Sequence, residues 1–308
     1  MKAWLLRLHR WVALVFALPL IFVLGTGLLL SVEPWLVVRS IEPSSLTPTS
    51  IERLLSQHDS AGQARSLVYR SYDKTLTIGA GRNSGTVVDV ATGQVQPGPS
   101  TLASALVTVR RMHESLLFDL GWLVIASTMA MLMLVVLGVL MGWPRFANSL
   151  TGWHKAMAWS LLPLIALSPL TGLLMAWGIT FTSPPAAPAA RGASMTLPEA
   201  VRIVGRDHDL SSLVWMRPLG GRLAVRLVEN GEYTVYSVTR DGAVAMPRNW
   251  PRLWHEGNFA GVWSAAMNLI MSFAMIGLLV TGVWIWLRRQ LGRRARRMRQ
   301  AMPAITSP

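Results

Sequence analysis

The chain has 308 residues, 52% of them hydrophobic and only 14% charged, against about a quarter charged in an average soluble domain. It contains no cysteine, which excludes disulfides, cysteine zinc sites, iron–sulfur clusters, covalent c-type haem and a thiol nucleophile. A net charge of +14 would suit a nucleic-acid binder, but the placement of the charges argues for a membrane instead.

Four stretches carry no Asp, Glu, Lys or Arg over their apolar parts: Trp11–Val32, Leu120–Pro144, Ala156 to about Thr180, and Gly257–Leu287. Each has the roughly 20 apolar residues that a helix needs to cross a hydrocarbon core. The first is too long for a signal peptide, and no small-residue cleavage site follows it. Basic residues cluster at the N-terminal tip (Lys2, Arg7, Arg10), in the short middle loop (Arg145, Lys155) and in the tail from Arg288 to Arg299. No acid accompanies them. The positive-inside rule then places both termini and the short loop in the cytoplasm. The two long loops, which hold or adjoin all 15 acids, face outside. The Arg-rich tail reads as a topology anchor drawn to anionic lipid, not as a nucleic-acid arm.

The expected fold class is an all-α bundle of four transmembrane helices carrying two small α+β periplasmic modules, with an internal parallel two-fold repeat. Membrane helices are expected over 1–32, 114–144, 156–180 and 256–287. The modules are expected over 33–113 and 181–255, the cytoplasmic loop over 145–155 and the basic tail over 288–308. The repeat has a period of about 145 residues. Leu8-His9-Arg10-Trp11 answers to Trp153-His154-Lys155-Ala156, and Pro19 with Thr26-Gly27 answers to Pro163 with Thr171-Gly172. His113-Glu114 and His255-Glu256 open helices 2 and 4 in this reading. Within the loops, Ser50–Leu55 and Thr196–Val204 read as short amphipathic helices, Thr196 being an N-cap. Strands are predicted over Ser66–Tyr72, Thr75–Ile78, Arg222–Val228 and Tyr233–Val238, with Glu229-Asn230-Gly231 as a turn. Each loop closes on a hairpin signal, and Ser183–Ala190 is a Pro/Ala linker.

Six histidines are present. His58 and His208 stand among polar residues and read as surface groups. The other four each stand at a membrane-helix start. Helices 1 and 3 run outward and helices 2 and 4 inward, so His9 and His154 share the cytoplasmic end, and His113 and His255 share the outer end. Singly, each also fits a half-buried ring at the membrane interface. Together, two imidazoles per face match two axial ligands of a haem, whereas a bare metal needs three or four ligands. Arg10 and Lys155 adjoin His9 and His154 and fit either topology charges or propionate partners, and Arg110, Arg111 and Arg252, shortly before His113 and His255, are candidate propionate partners. Glu114 and Glu256 follow the outer histidines and are candidate contacts for a docked ligand. The apolar cores hold no ionisable residue, which disfavours ion-coupled transport.

These helix 1, helix 2 and helix 4 patterns, with the loop Val88-Asp89-Val90-Ala91-Thr92-Gly93-Gln94-Val95, resemble the bacterial PepSY-associated transmembrane proteins, which include ferrisiderophore reductases. The second module ends Thr239-Arg240-Asp241-Gly242 and departs from that loop form. The resemblance implies an inner-membrane protein with two b haems, ligated by His9, His154, His113 and His255. It would take electrons from a cytoplasmic or membrane donor and reduce a ferric siderophore in the periplasm. A non-enzymatic sensory PepSY protein and a haem or siderophore carrier are the alternatives.

Overall fold

The computed structural model describes residues 2–80, 85–143, 146–182 and 195–301. Arg145 and the Ser183–Ala190 linker lie outside the described residues. In chain order come α1 (Lys2–Val15), α2 (Ala17–Leu30), α3 (Glu33–Ser40), α4 (Pro48–His58), β1 (Ser66–Arg70), β2 (Thr75–Gly79), β3 (Thr86–Asp89) and β4 (Val95–Gln96). Helices α5 (Thr101–Ser115), α6 (Gly121–Leu140), α7 (Leu150–Ser160) and α8 (Leu162–Ala176) follow. The second half brings α9 (Leu197–Asp207), β5 (Leu213–Leu219), β6 (Arg222–Glu229), β7 (Glu232–Thr239), β8 (Gly242–Ala245), α10 (Trp250–Glu256) and the 40-residue α11 (Val262–Ala301).

The chain divides into two units: a helical one (residues 1–28, 111–176 and 269–308) and one built around a sheet (29–110 and 177–268). Three helical segments are long and apolar enough to cross a membrane: Ala17–Ser40, Gly121–Leu140 and Val262–Met298. Helices α7 and α8 together make a fourth candidate, bent by 66°. Pro163 explains where that bend falls. It has no N–H to bond the Trp159 carbonyl, so the helical ladder breaks at Leu161. Pro19 lies three residues after the break between α1 and α2, one further along than Pro163. Apolar side chains from four helices form the core of the helical unit: Leu20, Leu24, Met131, Ile165, Met271 and Met275.

In the sheet unit the two expected modules share a single antiparallel sheet, ordered β4-β3-β2-β1-β5-β6-β7-β8. Each half is one amphipathic helix followed by a four-strand meander. The halves join where Leu67 pairs with Met216 and Val68 with Trp215. Helix α4 starts at a capping box, in which Thr47 Oγ1 accepts from Ser50 N at 3.2 Å and Ser50 Oγ accepts from Thr47 N at 3.0 Å. Thr196 caps α9 through Glu199 N, as its sequence position predicts. Both helices turn their apolar stripes, Ile51, Leu54 and Leu55 with Val201 and Val204, onto Leu67, Leu76, Val88, Met216, Val225 and Leu227. Burying each such side chain contributes about 1.5–3 kcal/mol. The Asn230-Gly231 turn has positive φ at both residues, 52° and 77°, which suits a two-residue hairpin turn between right-twisted strands.

Candidate functional site

The breaks between helices decide where the four histidines sit. His9 lies on α1 and His154 on α7, each ahead of the proline-linked break. His113 and His255 do not open membrane helices, as the sequence suggested. They occupy the last turns of α5 and α10, and a short irregular segment separates each from the apolar helix that follows. After His113 that segment includes Leu116, Leu117 and Asp119 with positive φ. After His255 it begins at Gly257, a left-handed C-cap with φ 65°. A Cβ at Gly257 would come within 2.5 Å of Asn268 Nδ2, which donates to the His255 carbonyl at 2.8 Å. This glycine therefore fixes where the helix turn carrying His255 ends.

In the helical unit, two of the imidazoles are held by threonines. His154 Nδ1 lies 2.8 Å from Thr281 Oγ1. The Thr281 hydroxyl already donates to the Gly277 carbonyl at 2.6 Å, so it accepts from the ring. His113 Nδ1 lies 3.0 Å from the Val23 carbonyl, which can only accept, and 3.1 Å from Thr26 Oγ1. Thr26 likewise donates to a carbonyl, that of Phe22, at 2.6 Å. In both rings the proton is therefore on Nδ1 and Nε2 carries the lone pair. That tautomer is the metal-ligating one, with the N–H fixed by an outer partner. A glycine follows each threonine. A Cβ at Gly27 would stand 3.2 Å from His113 Cε1, and one at Gly282 would stand 3.5 Å from His154 Cε1. The repeated Thr-Gly pair thus supplies both a hydrogen-bond acceptor and room for an imidazole. The sequence pattern singled out Thr26-Gly27 only as part of the repeat, without a role for Thr26, and did not single out the Thr281-Gly282 pair.

His9 is held differently. Its ring interacts with the Leu134 backbone, and its Nδ1 is buried without a hydrogen-bond partner among the described residues. His9 and His154 are within electrostatic range of each other. His113 belongs to the helical unit and His255 to the sheet unit. Arg10 is half-buried, whereas Lys155, Arg111 and Glu114 are exposed. Among the described residues, no group of three or more His, Cys, Asp or Glu is arranged to hold a bare metal ion.

Glu256 and Arg252 turn out to be bound to the protein itself. Glu256 Oε2 accepts from Arg226 at 2.8 Å and from Asn258 Nδ2 at 2.7 Å. Its Oε1 accepts from Arg252 at 3.3 Å. Burial alone would raise the Glu256 pKa, but Arg226 and Arg252 bring it down to about 2. This carboxylate anchors α10 to β6 and is not open to a docked ligand. Arg226 also stacks over Tyr233, 4.4 Å from the ring centroid, and burial keeps that phenol protonated. Arg110 pairs with Glu33. His58 and His208 are not simple surface groups either. His58 Nε2 bonds the Gly93 carbonyl at 3.0 Å, and His208, 15% exposed, bonds Glu229 at 2.7 Å. Neighbouring polar residues hid these partners because the partners are distant in sequence.

A family model described as the PepSY-associated TM region matches residues 6–289, nearly the whole chain. The chain belongs to that family. No curated protein matches it. For this PepSY-associated chain the matched range takes in all four repeat-related histidines, the Thr-Gly pairs and both halves of the sheet.

Proposed function

We propose that this PepSY-associated protein is a four-span inner-membrane electron carrier holding two b haems and passing electrons to ferric chelates in the periplasm. The observation that carries the reading is the fixed tautomer of His113 and His154. Half-buried histidines with Nδ1–H on a threonine or carbonyl and the lone pair on Nε2 are what a ligating imidazole requires. The residues fit the group: His9, His113, His154 and His255 would supply ligating nitrogens, and Gly27 and Gly282 leave space beside the His113 and His154 rings. When bound, haem supplies reversible one-electron chemistry at iron. The protein's own part is to orient each imidazole, raise its basicity through the Nδ1 bond and surround it with apolar side chains that keep water out. Arg10 and Lys155 offer positive charge to propionates at the cytoplasmic end. A ferric chelate gives up its metal more readily after reduction, because Fe²⁺ is the poorer partner for hard oxygen ligands. Chemically reduced protein in vesicles should be reoxidised by a ferric chelate added to the periplasmic face, and not by the iron-free chelator. Absence of reoxidation by every ferric chelate would refute the reading.

A further inference from the structure

The sheet unit contains a cavity of about 450 Å³ between β7, the segment after β8 and α10. This is toward the small end of ligand pockets, which run roughly 300–1,000 Å³. Its polar wall is unusual. Three guanidinium groups, Arg226, Arg248 and Arg252, line it together with one carboxylate, Glu232. Arg248 is paired with Glu232, at 2.6 and 2.9 Å. Arg226 and Arg252 share the single carboxylate of Glu256. Three cations therefore face two anions. Arg226 is 11% exposed, and its Nε is buried with no hydrogen-bond partner. A buried N–H without a partner is costly, which favours a ligand that can accept from it. Tyr233 contributes a protonated phenol, and Leu219, Val235, Met246 and Leu253 give the cavity an apolar side.

We propose that this cavity binds a small iron chelate with free carboxylates, of the α-hydroxycarboxylate (citrate) type. Guanidinium groups pair with carboxylates in a planar, two-bond geometry. The apolar wall receives the carbon skeleton. A bulky neutral trishydroxamate offers no carboxylate to the arginines and exceeds the space. The iron in the ligand rests on the proposed reductase reading, whereas the carboxylate recognition rests on the cavity alone.

The test uses the full chain in detergent and gallium(III) citrate, which copies the ferric complex but cannot be reduced. Calorimetry should show one site per chain. A neutral gallium trishydroxamate should bind at least about tenfold more weakly. Arg248→Gln should weaken gallium citrate roughly tenfold, with Arg248→Lys recovering part of the loss, because a charge-assisted contact is removed and partly restored. Glu232→Gln should act in the opposite direction and tighten binding several-fold, since it releases Arg248 and removes the lining anion. Folding of each variant is checked by its infrared sheet band. No binding of gallium citrate, affinity equal to that of the trishydroxamate, or indifference to both substitutions would overturn the assignment. Binding of citrate alone but not of its gallium complex would overturn it as well. If gallium citrate binds as described and no ferric chelate is reduced, the cavity assignment stands and the reductase reading fails. If ferric citrate is reduced while binding ignores both variants, the reverse holds.

Discussion

Replacing Glu256 by Gln tests the account of the α10 anchor. The carboxylate has an ordinary pKa of 4.5, and in the folded protein it is drawn down to about 2, with burial opposing and Arg226 and Arg252 prevailing. At about 1.4 kcal/mol per pH unit, that difference corresponds to about 3 kcal/mol of folding stability at neutral pH. The folded-state pKa is depressed, so this stability is fully present above about pH 4.5 and is lost as the pH falls toward 2. Glu256→Gln removes it at pH 7 and leaves Arg226 buried with a weaker partner. The expected loss is therefore about 3–5 kcal/mol. Urea unfolding in detergent, followed by the infrared band of the β-sheet, measures it. The gap between wild type and variant should be largest at pH 7, shrink below pH 4.5 and close near pH 2. A gap under about 1 kcal/mol at pH 7, or one that widens on acidification, would refute the reasoning.

Further outcomes follow from the same geometry. Thr281→Val removes the acceptor from His154 Nδ1 and should weaken haem retention about 10–100-fold and change the spectrum of the bound haem, with Thr281→Ser recovering most of both. Gly27→Ala places a Cβ 3.2 Å from the His113 ring and should lower haem content, whereas Gly282→Ala, at 3.5 Å from His154, should be tolerated; pyridine haemochrome assay of the two variants separates these outcomes. Gly257→Ala puts a side chain at a left-handed φ of 65° against Asn268 and should destabilise α10 by about 1–3 kcal/mol in the same urea assay. Arg202→Ala breaks an exposed pair with Glu52 and should change stability by under about 1 kcal/mol.

Much of this arrangement was legible in the sequence. The apolar runs, the period of about 145 residues and the turn at Asn230-Gly231 are local signals that tertiary packing did not override. The joining of the halves was not legible. It rests on β5, whose sequence Leu213–Leu219 includes Pro218 and Met216 and has no clean alternation, and on two residue pairs with β1. The helix starts at His113 and His255 were misplaced for a similar reason. Leu116 and Leu117 adopt positive φ, which their own propensity disfavours, so nothing nearby announces the break. The histidines themselves were found from their spacing, but their partners lie 87 and 127 residues away in the chain and only folding brings them together. Glu256 shows the limit most clearly. Its place after His255 suggested an outward contact, and its actual partners are Arg226 on β6, Arg252 on α10 and Asn258 beyond the cap.

The central claim concerns what the four histidines hold. The most direct measurement is the haem content of the purified full chain from haem-replete cells, by pyridine haemochrome, with oxidised and reduced absorbance spectra recorded on the same sample. The account predicts about two non-covalent protohaems per chain and low-spin spectra of paired imidazole ligands, with His154→Ala and His113→Ala each lowering the count. A haem-free preparation, or a count unchanged in both variants, would contradict it.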